Sequence, residues 1–225
     1  MTAAARIPDA AMAARNNADL HAAIFACHGR AFTRTPGAFV AEAAPPPLFA
    51  HLVTTDPGAD PAPGIAALRT RFGCIAVKDS FARLDAAACG LRPLFEAQWI
   101  AHPPPRAASD PWHRVTDVAT LARWTESGGP DLPATALSHP DLAVMARLEG
   151  DRIVAGCLVN RSPDCVGLSN VFGPAASSTW AGAARAAGAI APDLPVVGYE
   201  RDADLDHARA AGFAPLGALR VLVSA

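Results

Sequence analysis

Tyr199 and Glu200 are the adjacent pair of residues in this sequence best suited to proton transfer. Tyr199 is the only tyrosine of the chain, and the pair ends the apolar segment PVVGYE, residues 195–200. A phenol at that place can protonate a leaving thiolate, and a carboxylate can take a proton from an amine. The alternative is a half-buried tyrosine with its hydroxyl group in water, next to a solvated glutamate.

Asn170 is a third candidate, because it lies on the strand-like segment VGLSNVFG, residues 166–173. Its amide can hydrogen-bond a substrate or a cofactor, or it can hold a neighbouring loop. Downstream, the hydroxyl residues Ser177, Ser178 and Thr179 open a predicted helix. We interpret them first as helix caps, although the same backbone amides can bind a phosphate. The stretch around Ser169 lacks the second glycine of a nucleophile elbow, which argues against a serine hydrolase.

Lys78 is the only lysine in a chain whose other basic residues are arginines, apart from histidine. It ends another predicted strand, where Asp79 follows it. An ion pair between Lys78 and Glu200 is one interpretation, and a solvated lysine is the other. An exposed ion pair would contribute less than about 1 kcal/mol.

Composition excludes several classes of protein. The 225 residues are 51% hydrophobic and carry a formal net charge of −2, so the chain is predicted to be globular and not a nucleic-acid-binding protein. No segment approaches the roughly 20 apolar residues of a membrane helix, and the N-terminus lacks the apolar core of a secretory signal. Five cysteines without a C-x-x-C pair indicate a reduced, cytoplasmic protein. The histidines lack zinc-ligand spacing, so no metal is expected.

The elements that must position these residues follow from apolar runs and turn signals. In the first half we predict helices over 19–31, 65–72 and 82–90, with strands over 48–55, 74–77 and 93–100. In the second half we predict helices over 116–127, 177–187 and 204–212, a hairpin over 142–160, and strands over 166–173, 195–200 and 215–223. Alternating strands and helices indicate an α+β or α/β protein.

Two segments share one pattern in this alanine-rich sequence, which predicts an internal repeat. The segment from Cys74 and the segment from Val196 both have strand, polar turn, short helix, glycine and strand, and they match at Gly90/Gly212, Pro93/Pro215 and Leu94/Leu216. We therefore predict four regions: a loose leader over 1–18, an N-terminal half over 19–101, a proline-rich linker over 102–111, and a C-terminal half over 112–225.

The C-terminal half resembles the GNAT superfamily of acyl-CoA-dependent N-acyltransferases. The resemblance rests on the hairpin LAVMARLEGDRIVAGCLVN, the strand VGLSNVFG, and the tail VVGYERDADLDHARAAGFAPLGALRVLV, in which a helix ends at Gly-Phe before the last strand. It implies an α+β, α/β-like fold with a mixed central sheet flanked by helices, and two similar halves of which the first is degenerate.

The resemblance also implies a cofactor and its site. In that superfamily the strand that matches VGLSNVFG splays from its neighbour, its amides bind the pantetheine arm, and the following turn holds the pyrophosphate. The implied cofactor is acetyl-CoA or a related acyl-CoA, and the implied acceptor is a small-molecule amine. The cofactor-binding residues would be the following six: Val171, Phe172, Gly173, Ser177, Ser178 and Thr179.

The sequence departs from the family pattern in two places. The pyrophosphate loop Gln/Arg-x-x-Gly-x-Gly/Ala is missing, and Arg201 and Ala208 stand where the family often has asparagine and tyrosine. We therefore keep two functions open: an acyltransferase that uses Tyr199 and Glu200, or a catalytically inactive GNAT-fold module that binds a small ligand or a protein partner. The apolar strand PLGALRVLV, residues 215–223, is interpreted as an edge strand through which a homodimer could form.

Overall fold

A computed structural model describes residues 7–105 and 111–225. These residues form one eleven-stranded sheet with five α-helices and a short 3-10 helix, Ala134–Ser138. The α-helices are α1 (Ala10–Cys27), α2 (Ala62–Phe72), α3 (Val118–Glu126), α4 (Ser177–Ile190) and α5 (Asp202–Ala210). The strands are β1 (Phe32–Thr35), β2 (Ala38–Ala41), β3 (Leu52–Thr54), β4 (Ala76–Asp79), β5 (Leu91–His102), β6 (Trp112–Arg114), β7 (Leu142–Glu149), β8 (Arg152–Arg161), β9 (Val166–Phe172), β10 (Val196–Glu200) and β11 (Ala214–Ser224). The predicted mixed sheet flanked by helices is confirmed.

The sheet is arranged in the same way on the two sides of its central pair, β11 and β5. The strand order is β1-β2-β3-β4-β11-β5-β10-β9-β8-β7-β6. On each side the first neighbour is antiparallel to its central strand (β4 to β11, β10 to β5), and the next strand is parallel to that neighbour (β3 to β4, β9 to β10). Antiparallel strands follow, two on the first side (β2 and β1) and three on the second (β8, β7 and β6). This order is what a duplication would produce, but the duplication and the boundaries of the two halves stay predictions.

The interpretation of residues 215–223 as an edge strand is wrong. The strand β11 lies between β4 and β5 and pairs with both over most of its length. Its apolar residues are therefore covered inside the molecule, and the argument for a homodimer through this strand is lost. The predicted linker connects β5 to β6, and its residues 106–110 lie outside the described part of the chain.

The first helix begins earlier than the sequence suggested. We predicted a loose leader to residue 18 and a helix over 19–31, whereas α1 begins at Ala10, and the side chain of Asp9 caps it by accepting a hydrogen bond from the Met12 amide at 2.6 Å. Most residues of α1 are buried, including Asn16 and Asn17, because strands of both predicted halves pack around it. A helix that is buried on most sides lacks the one-sided apolar pattern by which helices are identified.

Residues 82–90 form turns instead of the predicted helix. The carboxylate of Asp79 accepts hydrogen bonds from the amides of Arg83 and Leu84, both at 3.1 Å, and that of Asp85 accepts from Ala88 at 3.0 Å. Aspartate side chains that bind nearby amides in this way compete with helical hydrogen bonding. In the second half the predicted helices and the hairpin are present, with Gly150 at the turn of β7 and β8 at a φ of 60°.

The core is divided by the sheet into two layers. On one face, α1 and α3, which contributes Trp124, cover sheet residues such as Trp99 and Val144. On the other face, α4 and α5 cover Ile100 and Phe213, and α2 packs further along on the side of β3 and β4. Both layers meet at β10, which therefore carries side chains into each of them.

Candidate active site

A crevice opens between the parallel strands β9 and β10. The two strands pair only at Val166/Val196 and Gly167/Val197, after which their backbones separate. At the point of separation Gly198 lies so close to β9 that a Cβ atom would be 2.6 Å from the carbonyl oxygen of Leu168. The remainder of β9 and the end of β10 therefore do not share backbone hydrogen bonds. The resemblance implied such a separation for the strand that binds pantetheine.

The corresponding place in the first half is closed by a side chain. Where β3 and β4 cease to pair, the hydroxyl group of Thr54 accepts a hydrogen bond from the Ser80 amide at 2.9 Å and donates to the Lys78 carbonyl at 3.4 Å. This hydroxyl satisfies the backbone groups that a ligand would otherwise bind. The second half alone retains the open strand pair among the described residues.

Asn170 lies at a bulge in β9, directly beside the crevice. Its φ is 51°, and the register against β8 shifts from Leu158/Ser169 to Gly156/Phe172. The Asn170 side chain donates a long hydrogen bond of 3.4 Å to the Ser169 hydroxyl. A bulge leaves one residue unpaired and redirects the strand, so Asn170 is placed at the crevice, although no hydrogen bond joins it to Tyr199 or Glu200 within the described ranges.

Val171 and Phe172 turn their side chains into the core on opposite faces. Val171 packs towards α4 and α5, and Phe172 contacts the Trp124 ring at 5.4 Å in an edge-to-face arrangement. What these two residues can offer to a ligand is their backbone. Gly173 follows with a φ of 139°, and a Cβ atom there would lie 2.7 Å from that of Ala155. A side chain at this position would strain the turn between β9 and α4.

Ser177, Ser178 and Thr179 are the first three residues of α4 and do not cap it, contrary to our first interpretation. The capping position belongs to Ala176, whose side chain offers no acceptor, and the hydroxyl group of Thr179 instead donates to the Pro174 carbonyl at 2.8 Å. No side chain of the described residues satisfies this helix end. Free amides and the positive end of the helix dipole favour an anion here.

Tyr199 is held in the layer below α1. Its ring packs edge-to-face against Trp99 at 5.5 Å, and the Nζ atom of Lys78 lies 4.2 Å from the ring centroid. Burial raises the pKa of Tyr199 to about 12, with a further contribution from Glu200. The phenol is therefore protonated at neutral pH and can donate a proton.

Glu200 extends from the opposite face of β10, since successive strand residues alternate. It lines a cavity of about 370 Å³ together with Glu96, Gln98, Arg201 and others. Burial raises the pKa of Glu200 to about 7, and the neighbouring Asp204 adds to the effect. A carboxyl group with this pKa exchanges protons in the neutral range, as a general base requires.

Lys78 is neither solvated nor paired with Glu200, so both interpretations of the sequence were wrong. Its side chain is 5% exposed, and its Nζ atom donates a hydrogen bond to the Asn17 Oδ1 atom at 2.9 Å. Burial lowers the pKa of Lys78 to about 7. The only signal in the sequence was that Lys78 is the single lysine, because its partner Asn17 lies in the part of α1 that the sequence analysis assigned to the leader.

The described part of the chain contains no group of three or more histidine, cysteine or acidic residues arranged to hold a metal ion. No helix within residues 7–105 and 111–225 is long and apolar enough to cross a membrane. All five cysteines are free, and Cys157 and Cys165 are buried. These side chains add nothing to the chemistry of the crevice.

No family model and no curated protein matches the sequence. Among solved structures, the chain is similar to a GCN5-related N-acetyltransferase from Kribbella flavida, with a TM-score of 0.63, 15% identity and 95% of each chain covered. It is also similar to a functionally unknown conserved protein from Staphylococcus epidermidis, with a TM-score of 0.59, 8% identity and coverage of 85% of this chain and 92% of that one. A GCN5-related N-acetyltransferase from Sphaerobacter thermophilus gives a TM-score of 0.50 at 12% identity, over 76% of this chain and 70% of that one.

The chain therefore has the GNAT acetyltransferase fold, which confirms the resemblance found in the C-terminal half. The similarity to the Kribbella flavida structure extends over 95% of this chain, so it includes the first half as well. Identities at this level establish the shared fold and do not assign a reaction.

Proposed function

We propose that the protein transfers an acyl group from acetyl-CoA or a related acyl-CoA to a small-molecule amine, in the crevice between β9 and β10. The observation that carries this proposal is the separation of the two parallel strands beyond Val166/Val196 and Gly167/Val197, next to a helix end that no side chain caps. The crevice offers free backbone amides along β9, and the N-terminus of α4 offers an anion site.

The residues present fit an acyl-CoA. We assign the pantetheine arm to the backbone of β9 at Val171 and Phe172, and the pyrophosphate to the backbone at Gly173, Ser177 and Ser178. The fit rests on the free strand edge, the glycine that leaves room at the turn, and the uncapped helix, although the family's usual glycine-rich loop is absent. When bound, acyl-CoA supplies a thioester, which is an activated acyl group.

The chain's own residues supply binding, orientation and proton transfer. Glu200 takes a proton from the acceptor amine through its carboxylate, and Tyr199 donates its phenolic proton to the departing sulfur. Backbone N–H groups of β9 near Asn170 stabilise negative charge that develops on the carbonyl oxygen. Tyr199 and Glu200 lie on opposite faces of β10, and a gap between strands is open to both faces.

The first experiment is a ligand-dependent melting measurement, followed by calorimetry. Acetyl-CoA and free CoA are expected to raise the Tm saturably, because a ligand that binds only the folded state stabilises it. Thiol release from acetyl-CoA in the presence of an amine panel then tests turnover, and Tyr199→Phe is expected to lower it with little change in Tm. Unchanged turnover in this variant would remove Tyr199 from the mechanism.

The second candidate function is a catalytically inactive module that binds a small ligand or a protein partner. It is favoured by the missing pyrophosphate loop and by Arg201 and Ala208 at the places of the family's asparagine and tyrosine. No Tm shift at millimolar acetyl-CoA would support it. A shift without thiol release for any amine would support a module that binds CoA without using it.

A further inference from the structure

The buried lysine is the titratable group that the proposed reaction leaves unused. Lys78 is the penultimate residue of β4 in the first half of the chain, yet its Nζ atom lies over the ring of Tyr199 in the second half, 4.2 Å from the centroid. On its other side it donates to Asn17 of α1 at 2.9 Å. The ammonium group is thus fixed between a helix and the phenol that we assign as the acid.

The second recorded contact of the Tyr199 ring also comes from the first half. Trp99 of β5 packs against the ring edge with an interplanar angle of 86°, and its Nε1 atom donates to the Ser80 carbonyl at 2.7 Å. Ser80 is two residues beyond Lys78, so the tryptophan and the lysine are fixed to one short stretch of backbone. The Tyr199 ring therefore has Lys78 over its face and Trp99 perpendicular to it, and both contacts come from the first half of the chain.

Within the described part of the chain, no carboxylate forms an ion pair with the buried amine of Lys78. Its neighbour Asp79 points to the opposite side of the sheet, where its carboxylate accepts a hydrogen bond from Arg220 at 2.6 Å. A buried amine without an ionic partner costs free energy, and an apolar side chain of similar length would avoid this cost. What Lys78 gains in return is the hydrogen bond to Asn17 and the contact with the ring, which is attractive when the amine is charged.

We propose that Lys78 is a positioning residue, which holds the phenol of Tyr199 at the strand end where it acts as the proton donor. The proposal rests on the proposed acyl transfer. It also gives the predicted first half a role, because Lys78 from this half would hold in place Tyr199, the proton donor of the second half.

A double-mutant cycle tests this role. Lys78→Met is expected to lower kcat about tenfold or more and to leave the KM for acetyl-CoA unchanged, since misplaced catalytic groups reduce the rate without reducing binding. In the Tyr199→Phe background the same substitution should cause no further loss. Equal losses in both backgrounds would show that Lys78 supports the fold in general, which would overturn the proposal.

A spectroscopic measurement tests the contact between Lys78 and Tyr199 even if no acyl transfer is found. Asn17 and His21 of α1 face Lys78, and the charges of Glu200, on the other face of β10, and of Arg201, just after β10, also act on Tyr199. Burial and the charge of Lys78 lower the pKa of His21 to about 3. Among the groups that act on Tyr199, Lys78 and Glu200 are therefore the two whose pKa lies near 7. The NMR signals of the single tyrosine are expected to shift with a midpoint near 7 that persists in Glu200→Gln and vanishes in Lys78→Met.

The opposite pattern, in which the midpoint vanishes in Glu200→Gln, would overturn the proposal. If Lys78→Met does not fold, Asn17→Asp serves instead, because a carboxylate next to Nζ should move the tyrosine midpoint above 7. A midpoint that Asn17→Asp leaves in place would likewise contradict the contact. If acetyl-CoA does not bind but the tyrosine signals show the midpoint near 7 that depends on Lys78, the result contradicts the proposed function and not the contact.

Discussion

Glu200 is the residue whose environment bears most directly on the chemistry. Its carboxyl group is half-buried at the end of β10, where burial raises its pKa to about 7. The nearby Glu96 lines the same cavity but is exposed. Glu96 is therefore a matched exposed carboxylate in the same cavity with which Glu200 can be compared.

The pH dependence of acyl transfer should report Glu200. A base acts only when deprotonated, so kcat/KM is expected to rise between pH 6 and 8 with a midpoint near 7. Glu200→Gln should remove this rise and lower kcat/KM about 100-fold or more. Glu96→Gln, measured with the same acceptor so that the ionisation of the amine cancels, should retain it. A rise that Glu200→Gln leaves intact would assign the base to another group.

At the scale of elements, the proposed function depends on the turn from β9 into α4, where we place the anion site. Gly173 has a positive φ and no room for a Cβ atom, because Ala155 of β8 lies 2.7 Å from where it would be. Gly150 in the turn of β7 and β8 also has a positive φ, of 60°, but has open space around it. An alanine at either glycine adds backbone strain, but only at Gly173 does it also displace the turn between β9 and α4. Comparison of the two variants therefore separates these two effects.

Gly173→Ala is expected to reduce stability by about 1–3 kcal/mol and to weaken the Tm shift that acetyl-CoA produces. The alanine must move the turn away from Ala155 and with it the amides at the start of α4. The matched control Gly150→Ala should lower the Tm through its backbone strain and leave the ligand-induced shift unchanged. Equal ligand responses in the two variants would place the anion site elsewhere than at this turn.

At the scale of the whole molecule, the two predicted halves are joined through α1 and the central strands. β11 lies between β4 and β5, and α1 packs against strands of both halves. Lys78 is buried at this junction with a pKa lowered to about 7. The unfolded chain, in which the lysine regains its usual pKa near 10.5, therefore binds one more proton than the folded chain above pH 7.

Stability should accordingly increase as the pH rises from 7.5 to 8.5, by at most about 1.4 kcal/mol per pH unit. In this window Glu200 is largely deprotonated in the folded and the unfolded chain, whereas the buried cysteines begin to ionise in the unfolded chain near its upper end and reduce the increase. Denaturant unfolding of Lys78→Met should show no such increase. The matched control Arg30→Met, which removes an exposed cationic side chain, should show the increase unchanged. An increase that survives in Lys78→Met would contradict the burial of this amine.

The sequence by itself determined the elements whose patterns are local. The hairpin of β7 and β8, the apolar strand β9 and the helix that ends before Gly212 follow from alternation, turn residues and glycine, which depend on neighbours along the chain. These elements were sufficient to indicate the GNAT fold. The candidate residues Tyr199, Glu200 and Asn170 could be named for their chemistry, and their roles stay proposals.

Only the tertiary structure decided where the buried polar residues go and which strands are covered. The first half of α1 was missed because its cover comes from the sheet on several sides. The strand β11 was mistaken for an edge because its neighbours β4 and β5 lie more than a hundred residues earlier in the chain. Lys78 has the same explanation: Asn17, Tyr199 and the lysine meet only after strands from both halves have formed one sheet. Burial and contacts between distant residues arise from the packing of elements, and no local pattern encodes them.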